Sequence, residues 1–201
     1  MSGEEEKIGE GKSDDSKKEP ETCTICLEIP TNPVKLGCGH SFCGDCLDQN
    51  NKKGQQKCPN CGKVYGVIRG NQPDGCMTVK HLHTLHLPSY ERCGIIEILY
   101  SFPSGKQGEN HPNPGKPFKG THRTAYLPDN KEGNEVLELF QKAFDKRLLF
   151  TIGRSVTTGR NDVVVWNDVH QKTSLYAGEY GYPDPTYFDR VKKELADKGI
   201  E

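Results

Sequence analysis

Eight metal-ligating side chains fall in one ordered run: Cys23 and Cys26, Cys38 and His40, Cys43 and Cys46, Cys58 and Cys61. Three of the pairs are spaced Cys-x-x-Cys and one Cys-x-His, with eleven residues between the first and second pairs and eleven between the third and fourth. Two residues between cysteines let a tight turn present both sulfurs to one ion. Eight thiolate and imidazole ligands fill two tetrahedral zinc sites and leave no position open for water, so the metal chemistry they predict is structural rather than hydrolytic. About forty residues cannot bury a sufficient hydrophobic core by themselves, so the metal supplies much of the folding free energy. Reduced cysteines buried as small hydrophobes would not fall into four regular pairs.

Other reactive side chains are less ordered. His81, His83 and His86 in "KHLHTLHL" invite a metal reading, but no cysteine or carboxylate cluster accompanies them in the sequence. Cys76 and Cys93 lack pairing spacing and read as packing residues. Arg154, Ser155, Thr157, Thr158 and Arg160 in "GRSVTTGRND" could donate to a pyrophosphate, although the segment by itself reads more simply as a hydrophilic hairpin loop. His170, just past an apolar run, reads as a structural histidine. Glu194 is more informative. Tyr187, Val191 and Leu195 define the inward stripe of a helix, and position 194 borders that stripe. A carboxylate at the edge of a core can have a raised pKa and serve as a base; Glu179 and Asp184 are its rivals nearby.

These residues need elements to hold them. Ile96, Ile98, Tyr100 and Phe102 alternate at period two and predict a strand. The segment 109–130 holds four prolines and two glycines and predicts an irregular loop. Val136, Phe140, Ala143 and Phe144 lie at i, i+4, i+7 and i+8, which predicts an amphipathic helix. "LLFTIG" and "DVVVWN" predict buried strands. The last helix is predicted to begin with Asp184 as N-cap and Pro185 at its first position, and to end before Gly199 at C′. The second half is therefore an α+β domain. It carries no phosphate-loop glycine fingerprint and no Gly-x-Ser-x-Gly elbow.

Composition fits two small domains in 201 residues. Hydrophobic residues make up 32%, so part of the chain has little to bury. Residues 1–21 hold eight acidic residues against four lysines and predict a disordered acidic leader, assigned to 1–20. The remainder is mildly basic, which gives no support for general nucleic-acid binding. No signal-like h-region and no membrane-length apolar run occurs, so the expectation is a nuclear and cytoplasmic chain without membrane insertion. Nine cysteines in such a compartment need a use other than disulfides.

The order Cys-Cys, Cys-His, Cys-Cys, Cys-Cys over residues 21–66 resembles the RING finger. That resemblance implies an interleaved cross-brace, with Cys23, Cys26, Cys43 and Cys46 on one ion and Cys38, His40, Cys58 and Cys61 on the other. It also implies binding of a ubiquitin-charged E2 conjugating enzyme, with Ile25 and Pro59 as E2-facing residues. Leu27, Val34 and Leu36 either extend that surface or fill the small core. Many RINGs place an Arg or Lys directly after the last ligand to clamp the donor ubiquitin; Gly62 stands there, with Lys63 next.

Residues 67–201 resemble the Deltex carboxy-terminal domain in "GNQPDGCMTV", "HPNPGKPF", "AYLPDN", "LLFTIGRSVTTG", "VVWNDVHQKT" and "GYPDPTYF". The resemblance implies a pocket for ADP-ribose or NAD, and transfer of the ubiquitin carboxy terminus to a ribose hydroxyl of free or macromolecule-linked ADP-ribose. Carried over residue by residue, it implies that His170 binds the ligand, Tyr180 stacks on it and Glu194 acts on the ribose hydroxyl. Arg154, Ser155, Thr157 and Thr158 would add donors, while Val156 replaces a pocket serine found in some relatives. Implied partners are an E2, ubiquitin, ADP-ribosylated proteins or nucleic acid, and a poly-ADP-ribose-polymerase-type protein. Two functions are expected to compete: a RING-type E3 ubiquitin transferase, and a non-catalytic reader or scaffold of ADP-ribosylated partners with a structural RING.

Overall fold

The computed structural model describes residues 22–52, 56–66 and 68–201. The leader expected over residues 1–20 lies outside them. The chain divides into two compact units between Gly62 and Lys63, a few residues before the boundary expected at 66.

The first unit is a short antiparallel hairpin and a helix. Strands β1 (Pro33–Lys35) and β2 (Ser41–Cys43) pair with Val34 opposite Phe42, and α1 (Gly44–Lys52) follows directly. Its apolar interior is small: Phe42, Leu47 and Leu36 are buried beside Cys23, Cys43 and Cys58. Two chain reversals present the paired cysteines. Leu27 N–H donates to Cys23 O, and Gly62 N–H donates to Cys58 O, in each case from the residue after the second cysteine. Leu27 and Gly62 occupy equivalent left-handed conformations, with φ of 65° and 71°. The glycine that takes the place of the usual Arg or Lys thus meets a backbone requirement that Leu27 meets under strain.

The second unit is built on a three-stranded antiparallel sheet, in the order β3 (Cys76–Leu82), β4 (Ile95–Phe102), β7 (Thr121–Pro128). Strand β4 is central. Ile96, Ile98, Tyr100 and Phe102 are all buried, as the period-two pattern predicts. Helix α2 (Lys131–Asp145) packs against β7 and begins where the Asn130 side chain accepts the Gly133 N–H at 2.9 Å. A Cβ at Gly133 would lie 1.9 Å from Pro128 O, so glycine is needed for this entry. The α2 stripe of Val136, Leu137, Phe140 and Ala143 is buried. Phe140→Ala removes a fully buried ring and is expected to cost about 3–5 kcal/mol, read by denaturant unfolding of the second unit.

The remaining elements are β5 (Gly105–Lys106) paired with β6 (Pro117–Phe118), the hairpin of β8 (Phe150–Gly153) with β9 (Val163–Trp166), and α3 (Tyr187–Ala196). Phe150 stacks on Trp166 across the β8–β9 ladder, with ring centroids 4.4 Å apart.

Three sequence expectations need correction. The segment 109–130 is not irregular throughout. Residues 121–128 form β7, in full register with β4 from Ile95↔Pro128 to Phe102↔Thr121. Its polar start, Thr-His-Arg-Thr, hides the alternation, and only Ala125, Leu127 and Pro128 are buried. Helix α3 starts at Tyr187 with Thr186 as its N-cap rather than at Pro185, because the chain first makes a tighter turn in which Tyr187 N–H donates to Asp184 O; the Asp184 side chain still accepts the Thr186 N–H on Oδ1 while its Oδ2 meets Lys172 and Arg190. Its end does follow expectation: Ile200 N–H donates to Leu195 O, Gly199 N–H to Ala196 O, and Gly199 has φ of 72°. Finally, Cys76 opens β3 exposed to solvent and is not a packing residue.

Candidate metal centre and ligand cleft

The zinc ligands converge into two groups. Cys23, Cys26, Cys43 and Cys46 form one, and Cys38, His40, Cys58 and Cys61 the other; the ligand atoms within each lie within 4.8 Å of one another. This is the cross-brace that the RING resemblance implied. With metal–sulfur bonds of about 2.3 Å, the edge of a tetrahedron is about 3.8 Å. Cys26 Sγ lies 3.6 Å from Cys43 Sγ. His40 Nδ1 lies 3.4 Å from Cys38 Sγ and 3.5 Å from Cys58 Sγ. The donor set and spacing fit a closed zinc site at each group, with Nδ1 as the imidazole ligand. Burial first, and then the neighbouring sulfurs of Cys26 and Cys23, push the Cys46 thiol up to about 12. The His40 backbone amide and ring bring Cys38 down to about 6. A dication is what lets every thiol in such a cluster ionise together.

Outside the metal groups, Ile25 is 41% exposed and Leu27 78%, with Val34 and Pro59 also exposed. Leu36 is buried in the small core. The structure therefore divides the three residues left open by sequence: Leu27 and Val34 extend the exposed apolar surface, and Leu36 fills the interior.

The second unit carries a cleft of about 450 Å³ lined by His170, Gln171, Lys172, Tyr180, Asp184 and Arg190, among others. Its walls are anchored by buried tyrosines. Tyr187 Oη donates to His170 O at 3.2 Å, and Tyr182 Oη donates to Tyr126 O at 3.2 Å. The main chain adds Tyr126 N–H to Lys172 O, and Thr173 and Ser174 N–H to Tyr180 O. Burial raises the phenol pKa of both Tyr182 and Tyr187, so they remain neutral hydrogen-bond donors.

His170 and Glu194 form a two-point contact. Glu194 Oε2 accepts the His170 backbone N–H at 2.9 Å, and Oε1 lies 2.7 Å from His170 Nδ1. The imidazole is 71% exposed and the carboxylate 20%. A carboxylate on Nδ1 accepts that proton, fixes the ring plane and leaves Nε2 to accept another.

Lys172 is buried and fully engaged. Its Nζ is 2.8 Å from Asp184 Oδ2, donates to Glu179 O at 3.0 Å and stands over the Tyr187 ring. Arg190 reaches the same Asp184 oxygen at 2.8 Å. Hydrogen bonds first from Lys172 and then from Arg190 hold the Asp184 carboxyl well below the usual carboxylate range.

His170 and Tyr180 line the cleft, and Glu194 stands behind His170. Arg154, Ser155, Thr157 and Thr158 do not line it. They sit in the β8–β9 hairpin, closed on itself by Ser155 N–H to Arg160 O, Thr158 N–H to Ser155 Oγ and Arg154 Nε–H to Gly159 O. Val156 is fully exposed at its tip. Sequence reasoning missed Gln171, Lys172 and Arg190. A helical signal for Arg190 was available: 187, 190 and 194 are spaced i, i+3, i+7 and share a face. It also missed Asp129, whose Oδ2 lies 2.9 Å from His81 Nδ1 and 4.0 Å from His83 Nδ1. Asp129 supplies the carboxylate that the local sequence lacked, yet among the described residues only the two cysteine-bearing groups bring three or more candidate ligands together.

The family model of the Deltex C-terminal domain matches residues 69–200, and that of the C3HC4-type zinc finger (RING finger) matches residues 23–61. The chain is 53% identical over 191 residues to the mouse protein named "Probable E3 ubiquitin-protein ligase DTX3", covering 93% of this chain and 55% of that one. It is 44% identical over 204 residues to mouse "E3 ubiquitin-protein ligase DTX4" and 41% identical over 206 residues to human "E3 ubiquitin-protein ligase DTX1", in each case covering 90% of this chain and 33% of the relative. The chain spans about half the length, or less, of these curated relatives.

Proposed function

The chain belongs to the Deltex family, and from that membership we propose that it is a RING-type E3 ubiquitin ligase whose second domain directs ubiquitin to a ribose hydroxyl of ADP-ribose. The observation that carries the ribose-directed part is the His170–Glu194 pair on the wall of the cleft. The relatives' names supply the ligase part.

In this reading the two zinc ions, once bound, supply folding free energy to the first unit and take no part in the transfer. Ile25, Leu27, Val34 and Pro59 form the surface that receives a ubiquitin-charged E2. Tyr180 stacks against the ligand, and the cleft holds the acceptor hydroxyl near His170. The hydroxyl oxygen attacks the thioester carbonyl of ubiquitin. The new C–O bond forms as the C–S bond breaks, and the thiolate leaves on the E2. The hydroxyl proton passes to His170 Nε2, while Glu194 holds Nδ1–H and steadies the imidazolium that forms. His170 is thus the catalytic base and Glu194 its positioning residue, because both carboxylate oxygens already engage His170. Free NAD or ADP-ribose, and ADP-ribosylated proteins or nucleic acid, are the acceptors this chemistry admits. A polymerase that makes ADP-ribose adducts is the matching partner class. The use of cysteines as metal ligands fits a reducing nuclear and cytoplasmic setting. Among the described residues, no helix is long and apolar enough to cross a membrane.

A reconstituted reaction with E1, E2, ubiquitin and ATP, with and without NAD, tests the proposal. Mass spectrometry is expected to find a ubiquitin–ADP-ribose ester only when the nucleotide is present. Lysine-linked products alone would reduce the protein to an ordinary RING ligase. ADP-ribose binding without thioester discharge would make it a reader with a structural RING. Ile25→Ala is expected to remove about 2 kcal/mol of E2 binding, roughly 30-fold in discharge rate at limiting E2, with ADP-ribose affinity unchanged in calorimetry.

A further inference from the structure

We infer that Arg190 is the diphosphate anchor of the cleft. This rests on the reading of the cleft as an ADP-ribose or NAD site and names the residue that meets the ligand's charge. Such a ligand carries two negative phosphates, which an accessible cation with donors to spare meets with strong paired hydrogen bonds.

Three side chains lining the cleft can be cationic: His170, Lys172 and Arg190. Lys172 is only 7% exposed, and its ammonium is committed to Asp184 and to the Glu179 carbonyl. His170 has its Nδ1 on Glu194. Arg190 is 42% exposed and uses one N–H of NH2 for Asp184 and one of NH1 for Thr186 Oγ1. A guanidinium carries five N–H donors, so its planar fork retains donors suited to paired phosphate oxygens.

The negative groups nearby permit this. Asp184 lies between Lys172 and Arg190, so its charge is met from two sides. Lys172 takes much of that charge, leaving Arg190 able to serve an incoming anion. Glu179, the other carboxylate lining the cleft, works against an anion. Glu194, one helical turn beyond Arg190, is occupied by His170. Gln171 also lines the cleft. Its Oε1 accepts from Tyr100 Oη at 2.9 Å, while its Nε2 is buried without a partner among the described residues. A buried amide left this way needs a ligand atom or water. The 154–160 hairpin, the alternative source of phosphate donors in the sequence, does not line the cleft.

The test is calorimetry of the full chain with inorganic pyrophosphate, ADP-ribose and adenosine, for wild type, Arg190→Gln and Arg190→Lys. Arg190→Gln is expected to weaken pyrophosphate and ADP-ribose about 10–100-fold and to flatten the salt dependence of ADP-ribose binding, with adenosine within about threefold of wild type. Arg190→Lys should recover part of the loss, since it restores charge without the fork. Wild-type ADP-ribose affinity in Arg190→Gln overturns the assignment. So does an equal loss for adenosine, which would mean that Arg190 only shapes the cleft. Wild-type protein that binds neither pyrophosphate nor ADP-ribose overturns it together with the ligand reading. Wild-type protein that binds both through Arg190 but forms no ribose ester leaves the anchor standing and sinks the transfer reading alone.

Discussion

Stripping metal from the full chain with a strong chelator is expected to release two zinc ions per chain and to unfold residues 22–62 while the second unit keeps its own unfolding transition. The two ligand groups have tetrahedral spacing, and the apolar core around Phe42, Leu47 and Leu36 is too small to hold the unit without them. Structural zinc contributes on the order of 10 kcal/mol or more in comparably small domains, which exceeds the whole stability of an ordinary domain. Discharge of the E2 thioester should fall to background in the apo form and return when zinc is restored. ADP-ribose affinity should be nearly unchanged, because the cleft residues belong to the second unit. Cys43→Ser and Cys58→Ser each remove a ligand from a different group and should behave alike. Metal analysis giving a single zinc, or a first unit that survives chelation intact, would contradict the two-site assignment.

Replacing His170 or Glu194 by alanine is expected to reduce ribose-linked product by about 100–10,000-fold while leaving RING-driven lysine ubiquitylation in place. The two variants should differ in binding. His170 lines the cleft and on the proposed reading meets the ligand, so His170→Ala should weaken ADP-ribose affinity as well. Glu194 stands behind it, so Glu194→Ala keeps affinity within a few-fold and loses rate. Glu194→Gln should fall with Glu194→Ala, because a carboxamide no longer offers two acceptor oxygens to Nδ1–H and to the backbone N–H of His170. Wild-type levels of ribose-linked product from Glu194→Ala would remove the pair from the chemistry and turn attention to Glu179 and Asp184.

Features whose signals are local could be read from the order of residues. Metal ligands were legible because chelation imposes fixed spacing along the chain, and the pairing of Cys23–Cys26 with Cys43–Cys46 followed the family pattern into the structure. Strand β4 and helix α2 were legible because burial on one face writes a period of 2 or 3.6 into neighbouring residues. The edge position of Glu194 followed from the same helical geometry on α3.

Tertiary structure decided what depends on residues far apart in the chain. Strand β7 carries a polar first half and became a strand because β4 offered a full register of hydrogen bonds. Asp184 reads locally as a helix cap and its Oδ1 does accept the Thr186 N–H, but its Oδ2 meets Lys172, twelve positions away, and Arg190, and the helix starts later. His81 gained its carboxylate from Asp129 across the sheet. The loop at 154–160 has the composition of a phosphate site, but its hydrogen bonds close within the hairpin, whereas Arg190 on α3 lines the cleft. Spacing along the chain reports which side chains an element can present together. Which carboxylate meets which cation is set by the packing of separate elements around Tyr182, Tyr187 and Phe140, and no local pattern records it.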